Sequence, residues 1–368
     1  MSGPMRLPKY QQVIESLETA IANGKYKPGA KLPSESVLVK QFKTSRITIG
    51  RALRELQQKA LIERRAGSGT YVRSSQLSEP SWLFGLLIPD LNETEIFEPI
   101  CEGMVGLMAA KPYALLRGNT TSGTTSKEEQ ARQLCEQYVA RAASGVFFAP
   151  LELTPAKDET NRQILAALET ARIPVVLLDR GVPEYPHRSA QDLVSVDNRR
   201  AGYLAAEHLL KLGCKRIAFV AHPHSASTVE ARIAGYREAL FIYRGAMDRA
   251  LVAYLNPADS SAVADLMGRA KPDAFVCAND RTAGLLMHSL IGLGHSVPRQ
   301  VRLVGIDDVR YASLLPVPLT TVRQPCREIG EVAMAAMIER MMRPQLPARE
   351  ILLDCKLVIR ESCGANAG

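Results

Sequence analysis

The sequence predicts an α/β protein in two parts: an N-terminal winged helix-turn-helix, then a larger body of doubly wound parallel sheets. Three observations predict this. Residues 1–75 hold seven Lys and seven Arg against five Glu, a net charge of +9, whereas the rest of the 368-residue chain holds 32 basic against 33 acidic residues. That basic segment shows helical periodicity ending in a glycine-rich tip. From Leu83 onward, short apolar runs alternate with helical stretches. A compact basic domain on a neutral body points to a polyanionic partner for that domain.

The first helix is expected in "KYQQVIESLETAIANGKYKPG", where Val13, Leu17, Ala20 and Ile21 share a face before Gly24 and "KPG" close it. In "LPSESVLVKQF", Ser34 offers an N-cap for a short helix that buries Leu38 and Phe42. Thr44 or Ser45 can cap a third helix, in which Ile49, Ala52, Leu53 and Leu56 recur at i, i+3, i+4 and i+7. Its opposite face carries Arg46, Ile47, Gly50, Arg51 and Arg54. "ERRAGSGTYV" reads as two short strands around a Gly67-Ser68-Gly69 tip. In such a module the third helix enters the major groove N-terminus first. Arginine suits that place because its planar fork can bond guanine O6 and N7 together. Arg64 and Arg65 on the wing would reach phosphates or the minor groove.

The motifs "KLPSE", "SRITIGRALRELQQKALI" and "GSGTYV" resemble the DNA-binding domain of the GntR family of bacterial transcription regulators over residues 7–73. The resemblance implies that Arg46 and Thr48 contact DNA, with Gly67 and Gly69 at the wing tip; the expected DNA-facing set is completed by Ser45, Ile47, Gly50, Arg51 and Arg54 of the helix and Arg64 and Arg65 of the wing. The family often has Arg where Ser36 follows "LPSE", and usually Arg where Gly50 stands. Mid-helix glycine costs about 1 kcal/mol relative to alanine. Either Gly50 lets the helix sit closer to DNA while Arg51 or Arg54 supplies the missing contact, or the site is simply tolerant.

After a polar linker, residues 74–82, the apolar runs "LFGLLIPD", "YALLRGN", "GVFFAPL", "PVVLLD", "RIAFVA", "ALVAYL", "DAFVCAND" and "VRLVGIDD" read as buried parallel strands. Repeated βα units place ligands at the carboxyl ends of strands. Those ends are Asp90, Asn119, Asp179, Asn279-Asp280 and Asp307-Asp308. Such groups suit a ligand rich in hydroxyls, and each could equally cap the helix that follows.

"SVDNRRAGYLAAEHLLKLGCKRIAFV", "ARIAGYREAL", "FVCANDRTAG" and "VRLVGIDDVRYASLLPVPLTTVRQP" resemble the effector-binding domain of LacI/GalR-type regulators over residues 83–362. This implies a two-lobed, periplasmic-binding-protein-like domain with three crossings, near Val194, Val322 and Leu352. Lobe 1 is then about 83–193 and 322–351, lobe 2 about 194–321 and 352–362. By matched motif the cleft residues are Asp179, Asp197, Arg232, Asn279, Asp307 and Gln324, with Asp90, Asn92 and Phe97 from the first loop. Phe97 would stack on a sugar face or sit in the core. The pairing resembles arabinose-type repressors, although the hinge helix of LacI-type proteins is missing.

Other chemistries find little support. The seven cysteines are scattered without a CxxC, which argues for reduced thiols in a cytoplasm-like compartment. The N-terminus has no apolar signal region, and no apolar run approaches the roughly 18–20 residues of a membrane span. In "GNTTSGTTSK" Thr124 stands where a phosphate loop needs lysine. His222 and His224 lack a second ligand cluster for a metal. Asp307 and Asp308 are adjacent on a strand end and point to opposite sides. The resemblances imply a non-enzymatic regulator, without cofactor or metal, that binds operator DNA as a homodimer and is released by a small sugar. The alternative is a winged-helix reader fused to a pyridoxal-phosphate aminotransferase-like enzyme.

Overall fold

The computed structural model describes residues 8–27, 29–59, 61–65, 68–72, 82–89, 95–106, 113–118, 126–244 and 251–365. The chain divides into two compact units at Ser81/Trp82. The linker expected over 74–82 lies outside the described residues except for Trp82, which opens a strand.

The first unit holds α1 (Lys9–Ala22), α2 (Glu35–Phe42), α3 (Arg46–Gln58), β1 (Ile62–Arg65) and β2 (Gly69–Val72). Its core is the predicted stripe: Val13 and Leu17 of α1, Leu38 of α2, and Ile49, Ala52, Leu53 and Leu56 of α3. Phe42 only leans on that core, half-buried. Ser45 caps α3, its hydroxyl accepting the Thr48 amide at 3.2 Å. Ser34 stands at the N-cap position of α2, but it makes no capping bond and pairs instead with the Ser36 hydroxyl at 3.0 Å. β1 and β2 form an antiparallel wing with Ile62 opposite Val72 and Arg65 opposite Gly69. The segment before α2 adds a third edge to this wing, since Leu32 N donates to Thr70 O and Val72 N to Ala30 O. That edge is not legible beforehand, because "PGAKLP" carries no strand pattern.

The second unit contains two six-stranded sheets. The first has the order β13-β7-β6-β5-β3-β4 and is parallel throughout, with β3 (Trp82–Leu87), β4 (Tyr113–Arg117), β5 (Gly145–Phe148), β6 (Val175–Leu178), β7 (Asp192–Val196) and β13 (Glu350–Leu353). The second has the order β14-β12-β11-β10-β8-β9, with β8 (Ile217–Ala221), β9 (Val252–Tyr254), β10 (Ala274–Cys277), β11 (Arg302–Asp307), β12 (Thr320–Arg323) and β14 (Lys356–Val358). Only its β12–β14 pair is antiparallel. All eight predicted strands form. The apolar runs are continuous because both sheet faces are covered. In β5, for example, Phe147 faces one core cluster while Val146 and Phe148 face another.

The first sheet is flanked by α4 (Phe97–Gly106), α5 (Lys127–Ala140), α6 (Lys157–Thr170) and α11 (Cys326–Met342). The second carries α7 (Asn198–Lys211), α8 (Ser227–Arg244), α9 (Ser260–Ala270) and α10 (Asp280–Gly292). Val194, Val322 and Leu352 each lie inside a strand, and the chain changes sheet just beyond them, after Val196, Arg323 and Leu353. β7, β12, β13 and β14 escaped the sequence reading because their apolar runs are at most three residues long.

One helix pair in each lobe packs backbone to backbone. A Cβ on Gly202 of α7 would stand 1.9 Å from the Arg232 carbonyl of α8, and one on Gly235 of α8 would stand 1.8 Å from that of Arg199. α4 and α11 repeat the arrangement, with Gly103 against the Arg327 carbonyl and Gly330 against that of Ile100.

Candidate functional site

The first unit presents the N-terminal turn of α3. The Arg46 side chain is 82% exposed, and Ile47 is equally exposed beside it. Gly50 lies on the same face, and a Cβ there would meet nothing within 4 Å. Glu35, at the start of α2, sits between Arg46 (3.5 Å) and Arg64 of the wing (2.6 Å), linking three elements of the face. Arg65 pairs with Glu63 and lies over the Tyr71 ring. Surface ion pairs of this kind are worth about 0–1 kcal/mol, so phosphates can displace them.

Arg51 stacks its guanidinium 3.9 Å over the Tyr10 ring of α1 and bonds Glu55 at 3.3 Å, which braces α3 against α1. Arg54 is exposed on the same face as Gly50. Gly69 has φ +122°, which only glycine adopts readily, and Gly67 lies outside the described residues. Glu35 was missed because an acidic residue does not suggest a phosphate-binding face.

In the second unit the carboxyl ends of the two sheets face each other. Asp179 follows β6, Asp307 ends β11, Gln324 follows β12, and Arg232 projects from α8. All but Asp307 are at least 96% buried. Arg232 donates from Nε to Asn198 Oδ1 at 2.8 Å and from Nη1 to the Ala278 carbonyl, and its Nη2 lies 3.7 Å from Asp307 Oδ1. Gln324 Nε2 donates to the same carboxylate oxygen at 2.6 Å. Asp308, just past the end of β11, instead pairs with Arg323 and Arg360.

The lobes meet across this cleft. Leu153 N donates to the His224 carbonyl at 2.8 Å, Ala226 N to Glu152 Oε2 at 3.3 Å, and the Ser227 hydroxyl to the Gly181 carbonyl at 3.0 Å. Glu152 also binds Arg180, and both are buried. Burial opposes ionisation of Glu152, but Arg180 outweighs it and holds the carboxyl below its usual range. Glu152 and Asn198 were missed, although "PLELTP" marks another strand end and Asn198 adjoins Asp197.

Two buried acceptors, Asp179 Oδ1 and Gln324 Oε1, have no hydrogen-bond partner among the described residues. Burial raises the pKa of Asp179 against the pull of Arg180 and Arg232. Burial likewise raises that of Asp307, with Arg232 opposing. Both acids have positive φ, +67° and +131°, a strain of about 1–3 kcal/mol each. A cavity of about 520 Å³ opens beside Asp307, Gln324, Ile96 and Cys326, and another of about 210 Å³ beside Asp179, Asp197, Asn198 and Thr228. Arg232 and Asn279 line neither.

The remaining residues divide. Asp197 caps α7, accepting the Arg200 amide at 2.9 Å, and Asn279 caps α10, accepting the Thr282 amide at 2.8 Å. For Asn279 this is the capping alternative read from sequence, whereas Asp197 is expected from sequence only in the cleft. Phe97 is fully buried in the first-lobe core, with Arg180 5.5 Å from its ring centre, so it offers no face to a sugar. Asp90, Asn92, Asn119 and the "GNTTSG" loop tip lie outside the described residues. Among the described residues no cluster of three or more His, Cys, Asp or Glu could hold a metal. Nor is any described helix long and apolar enough to cross a membrane.

Residues 9–72 match the bacterial regulatory proteins of the gntR family, and residues 206–363 match the periplasmic binding protein-like domain. The arabinose metabolism transcriptional repressor of Geobacillus stearothermophilus is 28% identical over 368 residues, covering 97% of this chain and 98% of the relative. The ribose operon repressor of Halalkalibacterium halodurans is 25% identical over 294 residues, covering 79% and 82%. A cellobiose complex of the transcriptional regulator CelR shares the fold with a TM-score of 0.64 at 23% identity, over 87% of this chain and 91% of its own. Lactococcus lactis CcpA does so with a TM-score of 0.65 at 22% identity, over 76% and 98%.

Proposed function

From a chain that joins a gntR-family DNA-binding domain to a periplasmic-binding-protein-like domain, we propose a ligand-responsive transcription repressor whose DNA grip is released by a small sugar. The observation that carries the sensor half is the pair of buried acceptors, Asp179 Oδ1 and Gln324 Oε1, that find no hydrogen-bond partner among the described residues. An unsatisfied buried acceptor costs about 1–3 kcal/mol, and a ligand hydroxyl donating to it removes that cost. Asp307 supplies a third acceptor, steered by Arg232 and Gln324. The exposed Arg46 turn of α3 supports the reader half.

The protein acts by binding rather than catalysis, in the cytoplasm where its DNA is. It binds operator DNA as a homodimer, one α3 in each half of a pseudo-palindrome. The sugar binds the DNA-incompetent state more tightly, and a hundredfold loss of DNA affinity requires about 2.7 kcal/mol of such coupling. Against the aminotransferase-like alternative stands the match of residues 206–363 to the periplasmic binding protein-like domain.

The test is a thermal-shift screen of the full-length protein against pentoses, hexoses, their phosphates and nucleosides, followed by DNA-release assays with each hit. A stabilising sugar that also releases DNA is expected. A nucleoside hit without any sugar hit would overturn the ligand class.

A further inference from the structure

We propose that Ile47 reads the 5-methyl group of a thymine in each half of the DNA site, and that the missing side chain at Gly50 makes room for it. This rests on the DNA-reading function above and specifies what one residue of the reader recognises.

Ile47 is 82% exposed on a helix that otherwise buries its large apolar residues completely. At about 100° per residue it stands nearly opposite the centre of the buried stripe, so the fold gains nothing from it. It lies in the first turn of α3, the part of a reading helix nearest the base edges. A β-branched side chain is held to one main rotamer in a helix and presents a fixed apolar surface. One turn on, Gly50 leaves a depression on the same face, with nothing within 4 Å of the Cβ it lacks. Cations border the patch, Arg46 and Arg54 on α3 and Arg64 on the wing, so the approaching surface is a polyanion rather than an apolar protein. In the major groove the apolar feature that distinguishes bases is the thymine methyl.

The experiment selects duplexes from a random-sequence pool with the full-length wild type and with Ile47→Ala and Ile47→Val. Each thymine of the wild-type consensus is then replaced in turn by deoxyuridine, which removes only the methyl group. One position per half-site should weaken wild-type binding about three- to fivefold, as expected for burial of one methyl group. Ile47→Val should keep that dependence, and Ile47→Ala should bind thymine and uracil equally there. If no uracil substitution weakens the wild type, or if one weakens wild type and Ile47→Ala alike, the methyl readout is wrong although DNA reading stands. A wild type that enriches no sequence overturns the DNA-reading function and this inference together.

Discussion

At the residue scale the two halves of the chain are separable. Arg46 is exposed on the reading turn, whereas Arg232 is buried among cleft groups with no part in the reader. Arg46→Ala is therefore expected to weaken operator binding by about 1–3 kcal/mol while sugar binding persists. Arg232→Ala and Asp307→Ala should leave DNA binding intact and abolish release. Anisotropy titrations of DNA with and without sugar distinguish these outcomes, and undiminished operator binding by Arg46→Ala would refute the assigned helix. Gly50→Ala should stabilise the first unit by up to about 1 kcal/mol, because the site is open and alanine favours helix. A calorimetric melt measures this. Which residues face the ligand was only partly legible. Asp179 and Asp307 announced themselves as polar residues ending apolar runs, but Asn279 carries the same signature and serves as a helix cap. Sequence cannot separate these roles, since a strand-to-helix turn places both kinds of residue at the same spot.

At the element scale, legibility followed the length and regularity of the pattern. The reading helix was clear because cap, period and boundary coincide at Ser45, Ile49 and Gln58. The crossing strands were not, because their order comes from partners distant in sequence. Asp192 shows how β7 is held. Its carboxylate is fully buried, receives Arg340 Nη2 at 2.9 Å and Arg349 Nε at 3.2 Å, and also accepts the Arg349 amide at 2.9 Å. Burial opposes the charge, but the two arginines outweigh it and hold the Asp192 pKa below its usual value. A depressed folded pKa gives stability that is present above the unfolded value of about 3.9 and is lost as pH falls through the folded one. Asp192→Ala should cost about 3–5 kcal/mol at neutral pH, with the gap to wild type shrinking under acid conditions in denaturant melts. The α7–α8 crossing makes a second prediction. Gly202→Ala must push α8 away at Arg232, so it should lose about 1–3 kcal/mol of stability and blunt sugar release.

At the scale of the whole molecule, the charge division governs behaviour in salt. The reader carries the excess of +9, and the body is nearly neutral. Operator affinity should therefore fall steeply with salt, with a log–log slope of about −5 or steeper, while sugar affinity measured by calorimetry should barely change. Comparable slopes for both ligands would contradict the division of labour. The sensor also carries an internal symmetry. Each lobe closes one helix pair with a glycine on either side of the crossing, Gly202 with Gly235 and Gly103 with Gly330. The clamp is thus one half-unit executed twice, and each copy ends on the cleft. Arg232 sits at the Gly202 seam and steers Asp307, while Arg327 sits at the Gly103 seam and lines the larger cavity. Loosening either seam therefore disturbs one jaw of the sensor.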